Sequence, residues 1–174
     1  MARFTTSTSI NIRHPHGYVF SGTSHRCANE HLDDIVDELT SCGLTVSVYR
    51  EVSPMVALPA SDTTFNFPIF QAPAACTVAA VYLVSSANIV GQNTNYLTVS
   101  AINKGTAGAG TQTLVTKTMN AAGGTVVGLV PTSLGTISGV ATMAANEVLV
   151  ITKGTAGTGL SFPASVAYVE YIPA

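Results

Sequence analysis

From residue 64 onward, hydrophobic and polar positions alternate in short runs, and no helical period persists. Val, Ile, Thr, Tyr and Phe fill the runs, while Gly, Asn, Pro and Ser separate them. The pattern predicts strands at 64–71, 76–85, 95–102, 112–119, 125–129, 135–138, 147–152 and 165–172. Phe65, Phe67 and Ile69 share one face. Leu97, Val99 and Ala101 alternate with Tyr96, Thr98 and Ser100, and Ala167, Val169 and Tyr171 alternate with Val166, Tyr168 and Glu170. In 76–85, Val78, Ala80 and Tyr82 alternate with Ala79, Val81 and Leu83. Both sets are apolar, so this strand is expected to be buried on both faces. Seven or eight short strands of this kind predict an antiparallel β-sandwich, and eight favours a jelly roll. Two packed sheets bury the apolar face of each.

The first 52 residues follow another pattern. Residues 1–16 are polar and β-branched, with no helical period, and read as an extended arm. In 29–42, Leu32, Ile35, Val36, Leu39 and Cys42 form one apolar stripe at helical spacing. Asn29 suits the N-cap, Glu30, Asp33 and Asp34 suit the positive end of the dipole, and Gly43 suits the C′ position. Short strands are expected on either side, from Tyr18 and from Leu44. This gives a mainly β chain in three parts: an arm and small α+β attachment segment at 1–52, a Pro-containing linker at 53–63, and the sandwich at 64–174.

Charge sharpens the division. Residues 1–52 carry all four Arg and all four His, with a net charge of −2. Residues 53–174 carry Lys104, Lys117 and Lys153 against Asp62, Glu147 and Glu170, a net charge of zero. Charged residues are 9% of the whole chain, against about 25% in an average soluble protein. The longest apolar run, 74–84, is broken by Thr77 and is about half of the ~20 residues that a spanning helix needs, so no membrane partner is expected. No apolar leader follows Arg3, so no signal peptide is expected. Without a basic patch, nucleic acid is not an expected partner either. A folded surface so poor in ions is expected to be covered by a partner or by copies of itself.

Candidate chemistry is sparse. Residues 53–174 have no His or Arg, one Cys and three carboxylates far apart, so neither a nucleophile–base pair nor a carboxylate pair is apparent. No enzymatic activity and no cofactor are expected. Residues 102–110 and 151–159 agree at seven of nine positions, each an apolar strand running into Lys-Gly-Thr-Ala-Gly. The lysine precedes the glycines, which does not fit a phosphate-binding loop, so the echo is read as two equivalent corners of the sandwich. His25, Cys27 and His31 are metal-ligand types at loose spacing; the preferred reading is a polar loop with a buried thiol, and no metal is assigned. The arm is the remaining candidate. Arg3, Phe4, Arg13, His14, His16 and Tyr18 mix cations and aromatics on a polar extended backbone, which suits docking on a protein surface.

Residues 73–84, beginning Pro-Ala-Ala-Cys-Thr-Val-Ala-Ala-Val-Tyr-Leu-Val, lead into Asn93-Thr94-Asn95-Tyr96-Leu97-Thr98-Val99-Ser100 and Asn103-Lys104-Gly105. Together with the late strand Val166-Ala167-Tyr168-Val169-Glu170-Tyr171, this stretch resembles β-sandwich structural proteins of tailed-bacteriophage virions, of the capsid decoration (cement) type. The resemblance covers about 110 of the 174 residues. It implies a non-enzymatic protein of the capsid surface, made in the host bacterial cytoplasm. Its expected partners are the major capsid protein and itself, as a homotrimer. The alternative from another class is a receptor- or carbohydrate-binding module of a phage tail or head fibre. The chain has no Trp, and Tyr82, Tyr96 and Tyr168 fall within strands, where core packing is the default expectation.

Overall fold

The computed structural model describes residues 2–13, 19–27, 46–61, 65–122, 124–137 and 141–173, those before Tyr49 by their backbone alone. Among the described residues there are eleven strands and no helix: β1 (Ala2–Arg13), β2 (Val19–Cys27), β3 (Val46–Met55), β4 (Asn66–Gln71), β5 (Cys76–Ser85), β6 (Tyr96–Asn103), β7 (Gln112–Thr118), β8 (Thr132–Ser133), β9 (Thr142–Met143), β10 (Val148–Ala156) and β11 (Ser165–Pro173). The helix expected at 29–42 lies outside the described residues. Of the arm residues, His14, His16 and Tyr18 also lie outside them.

Every strand pairing is antiparallel. One sheet runs β2-β1-β3-β11-β5-β8, with β9 also on β5, and the other runs β4-β10-β6-β7. From β3 onward the chain crosses repeatedly between the sheets, staying in one only from β6 to β7 and from β8 to β9, so β3, β11, β5 and β8 face β4, β10, β6 and β7. This is the wrapped connectivity of a jelly roll, and the expected β-sandwich is observed. β1 pairs with β2 on one edge and with β3 on the other. The extended N-terminal segment is thereby a strand of the larger sheet, and β3 runs across the expected boundary between residues 52 and 53.

Alternation places the core. In β6, Leu97, Val99, Ala101 and Asn103 are buried, while Tyr96, Thr98, Ser100 and Ile102 are half-buried on the other side. Val81 and Leu83 of β5, Leu149 and Ile151 of β10, and Ala167 and Val169 of β11 meet them between the sheets. Tyr171 stacks on Tyr49 at 5.2 Å and meets Phe70 at 4.7 Å, joining β11, β3 and β4. Ser53 Oγ donates to the Ile69 carbonyl at 2.8 Å, a polar link from one sheet to the other.

Three expectations change. First, β5 is not buried on both faces. A bulge opposite Glu170 and Tyr171 puts both Val78 and Val81 inward, and Ala80, Tyr82 and Val84 stand half-buried on the outer face. Second, 125–129 and, as far as residue 137, the segment expected at 135–138 are not strands. Val126 makes only an isolated bridge with Ile89, and the short strands β8 and β9 pair with β5 instead. Third, the two echo segments lie at opposite ends of one antiparallel pair, because β6 and β10 are neighbours with Asn103 opposite Leu149 and Tyr96 opposite Ala156. Gly108 and Gly157 both take positive φ, at 74° and 59°. Gly105 turns the chain at once, whereas Gly154 stays within β10.

Candidate functional site

Glu147, Lys153, Arg50 and Glu170 are engaged in contacts that build the sandwich. Glu147 Oε2 accepts from Asn103 Nδ2 at 2.8 Å and from the Ala144 amide at 2.9 Å, closing the turn into β10. Lys153, 3% exposed, donates through Nζ to the Pro59 carbonyl at 2.7 Å and the Ala60 carbonyl at 3.4 Å. It thereby pins the 56–61 crossing segment to β10. Arg50 forms a salt bridge with Glu170, its Nε donating to Oε1 at 3.0 Å. Among the described residues, no group of three or more His, Cys, Asp or Glu is placed to hold a metal.

Cys76 is a buried free thiol whose pKa is pushed up to about 11, first by burial and then by the Glu147 carboxylate. The folded state therefore holds this proton more tightly than the unfolded chain. Its contribution to stability is complete below pH 9 and is lost as pH rises from about 9 to 11. In the folded protein at pH 8, Cys76 should resist a thiol reagent at least 100-fold better than in denaturant, since the reactive form is the thiolate and access is closed. Rapid labelling of Cys76 in the native protein, read by mass spectrometry, would contradict this.

The outer face of the larger sheet has a different character. Three residues from neighbouring strands form each of its rows: Arg50, Glu170 and Ala80; Val52, Tyr168 and Tyr82; Pro54, Val166 and Val84. Tyr82 and Tyr168 stack with ring centroids 4.7 Å apart, and the Arg50 guanidinium lies 4.6 Å from the Tyr168 centroid. Arg50 reaches over from β3 and Tyr82 from β5, so Tyr168 is engaged from both flanking strands. Burial is the main cause of the rise in its pKa, with Tyr82 and Glu170 adding and Arg50 opposing. These two tyrosines face outward, not into the core as their strand positions led one to expect.

Beyond the aromatic row the face becomes wholly uncharged. Pro54, Met55, Val84, Ser85, Ser86, Leu129, Ala164, Ser165 and Val166 line an open hollow of about 340 Å³. Of the lining residues Leu129 is the most exposed, at 78%, and Val52, Val56, Val127 and Val130 are exposed apolar side chains close to the lining residues in sequence. This surface was not legible in the sequence: the second apolar set of β5 was expected to be buried, and Leu129 carried no signal. Of the arm candidates, Arg3, Phe4 and Arg13 are placed on β1, with Arg3 opposite Arg50 and Phe4 opposite Tyr49 in backbone register. His25 and Cys27 lie on β2, and His31 lies outside the described residues.

No family model matches this chain. No curated protein matches it. Among solved structures it is similar to a chain in the structure of the infectious bursal disease virus Gx strain, at 11% identity and a TM-score of 0.26, over 96% of this chain and 37% of that one. The chain thus spans little more than a third of that protein's length, and a likeness of this size decides neither fold nor function.

Proposed function

We propose that this protein is a non-enzymatic structural component of a virion, which decorates and stabilises a phage capsid by binding the assembled lattice of the major capsid protein. The observation that carries the reading is the uncharged apolar end of the outer sheet face, on a chain with only 9% charged residues. Monomeric soluble proteins rarely expose such contiguous surface unless something covers it. A jelly roll is a frequent capsid architecture, which raises the prior by analogy of fold alone. The engagement of Glu147, Lys153, Arg50 and Glu170 in structural contacts leaves little for turnover.

Stabilisation would operate by mass action. A protein that binds the closed lattice better than loose subunits shifts the assembly equilibrium by RT ln(1 + [L]/Kd). Arg3, Phe4, Arg13, His14, His16 and Tyr18 are the proposed contacts to the capsid, and the copies associate with each other, as a homotrimer on the resemblance. The site of action is the capsid surface, with synthesis in the host bacterial cytoplasm. Neither nucleic acid nor membrane is a proposed partner.

Because β1 sits between β2 and β3, the arm is best tested by side-chain replacement rather than deletion. A variant combining R3A, R13A, H14A and H16A should fold normally yet bind capsids at least tenfold more weakly. Undiminished occupancy would remove these residues from the interface. The stacked Tyr82–Tyr168 pair favours a second reading, a carbohydrate- or receptor-binding module, since sugars dock on aromatic faces. Binding on a glycan array that Y82A abolishes, with no capsid pull-down, would choose it.

A further inference from the structure

Three of the four arginines, from segments far apart in sequence, fall in one row of the larger sheet. Arg3 of β1 is opposite Arg26 of β2 on one side and opposite Arg50 of β3 on the other. Arg50 is in turn opposite Glu170 of β11, and Glu170 is opposite Ala80 of β5. Residues directly opposite in antiparallel strands share a face, with Cα atoms about 5 Å apart. The row therefore runs Arg26, Arg3, Arg50, Glu170, Ala80 along the outer face, with three cations against one carboxylate. That carboxylate is already engaged by Arg50, which also lies over the Tyr168 ring. Among the described residues the adjoining rows add no charge: Ser24, Thr5 and Val48 stand on one side, Val52, Tyr168 and Tyr82 on the other. Glu51, next to Arg50 along β3, belongs to the opposite face by alternation. Like charges directly opposite one another destabilise a sheet, so the row costs the fold stability and calls for a negative occupant.

We infer that the row Arg26–Arg3–Arg50 is a docking site for carboxylates on an acidic surface of a partner protein. The inference rests on the proposed reading of the chain as a capsid-binding protein and names the chemistry of the contact, adding Arg26 and Arg50 to Arg3. Charge complementarity selects the occupant. With Glu170 taken by Arg50, the row has a surplus of two positive charges, which a pair of Asp or Glu side chains neutralises. Each cation of the row is an arginine, whose planar fork matches a carboxylate through two parallel hydrogen bonds. The three arginines span only about 10 Å across the strands, and uncharged positions flank them. A track so short is a poor fit to a phosphate backbone, which is held through many spaced contacts.

The test is fluorescence anisotropy with a labelled oligoglutamate peptide and the full chain at low salt, for wild type, R26T, R3T/R26T and the control K104A. The peptide should bind wild type, and added salt should weaken it. The double variant should bind roughly tenfold more weakly or worse, whereas K104A, which removes the same charge elsewhere, should stay within about twofold. R26T should also raise the melting temperature by about 1–4 °C, because it relieves a like-charge pair. Should a threonine variant fail to fold, R26Q keeps the side-chain length without the charge and is read in the same way. No binding by wild type, or an equal loss in K104A, would overturn the inference. So would a fall in melting temperature for R26T, since the row would then already be neutralised within the chain, as by the carboxylates of Glu30, Asp33, Asp34, Asp37 and Glu38. Displacement of the peptide by an equal concentration of inorganic phosphate, or tighter binding of duplex DNA, would overturn the assignment to carboxylates. Whether the protein occupies capsids is read separately on intact particles, so the two readings can fail independently.

Discussion

Phe162→Ala is expected to cost about 3–5 kcal/mol of folding stability, the upper range for deleting a buried aromatic ring. Phe162 is 1% exposed and belongs to the core between the sheets. It also fastens the crossing segment, since Phe162 and Leu58 exchange amide-to-carbonyl hydrogen bonds of 2.9 and 2.8 Å. Lys153 ties the same segment through the Pro59 carbonyl. Removing the ring would open a cavity where both sheets and this strap meet. Domains of this size are stable by roughly 5–15 kcal/mol, so the variant should sit near the edge of folding. Phe162→Leu keeps most of the volume and should lose markedly less. Urea unfolding checks both, and a loss below about 1 kcal/mol for the alanine variant would show that the ring is not packed as described.

Gly91→Ala should act more locally. A Cβ on Gly91 would lie 2.2 Å from the Asn120 carbonyl oxygen and 2.7 Å from that of Gly124. Both obstacles are backbone, so no side chain can swing aside. The 88–91 and 120–126 segments must separate, which breaks the two Ile89–Val126 hydrogen bonds of 2.9 and 3.0 Å. The expected cost exceeds about 2 kcal/mol. Faster amide exchange should be concentrated in 86–91 and 124–130, with β6 and β10 still protected. Exchange that rises equally through the core, or not at all, would contradict this division.

Several parts of the fold were legible because they depend on local periodicity. The alternation expected in β6 and β11 is observed, although Tyr96 and Tyr168 lie on the half-buried sets, and the bounds expected for 76–85 are those observed for β5. The doubled apolar pattern of β5 was real, but the bulge at Ala79–Ala80 changed which residues point inward, and bulges are set by the partner strand. Residues 125–129 look like a strand because Val126, Val127, Leu129 and Val130 are apolar. Gly128 and the contact with Ala87 bend them into a turn instead. The pairing of β1 with β3 was not legible, since a Thr- and Ser-rich strand carries no face signal and register is settled by non-local hydrogen bonds. The candidate surface was half visible. An uncharged chain implied a covered face, but the position of the hollow depends on how the Pro54, Val84, Leu129 and Val166 segments converge.

The most direct test of a covered, structural role is native mass spectrometry and quantitative gel analysis of intact, gradient-purified particles from the cells that produce this chain. The account predicts the protein on the particles at a fixed copy number that matches a symmetry-related set of capsid sites, with bare particles less stable to heat. Its absence from particles, together with a monodisperse monomer free in the lysate, would contradict the account.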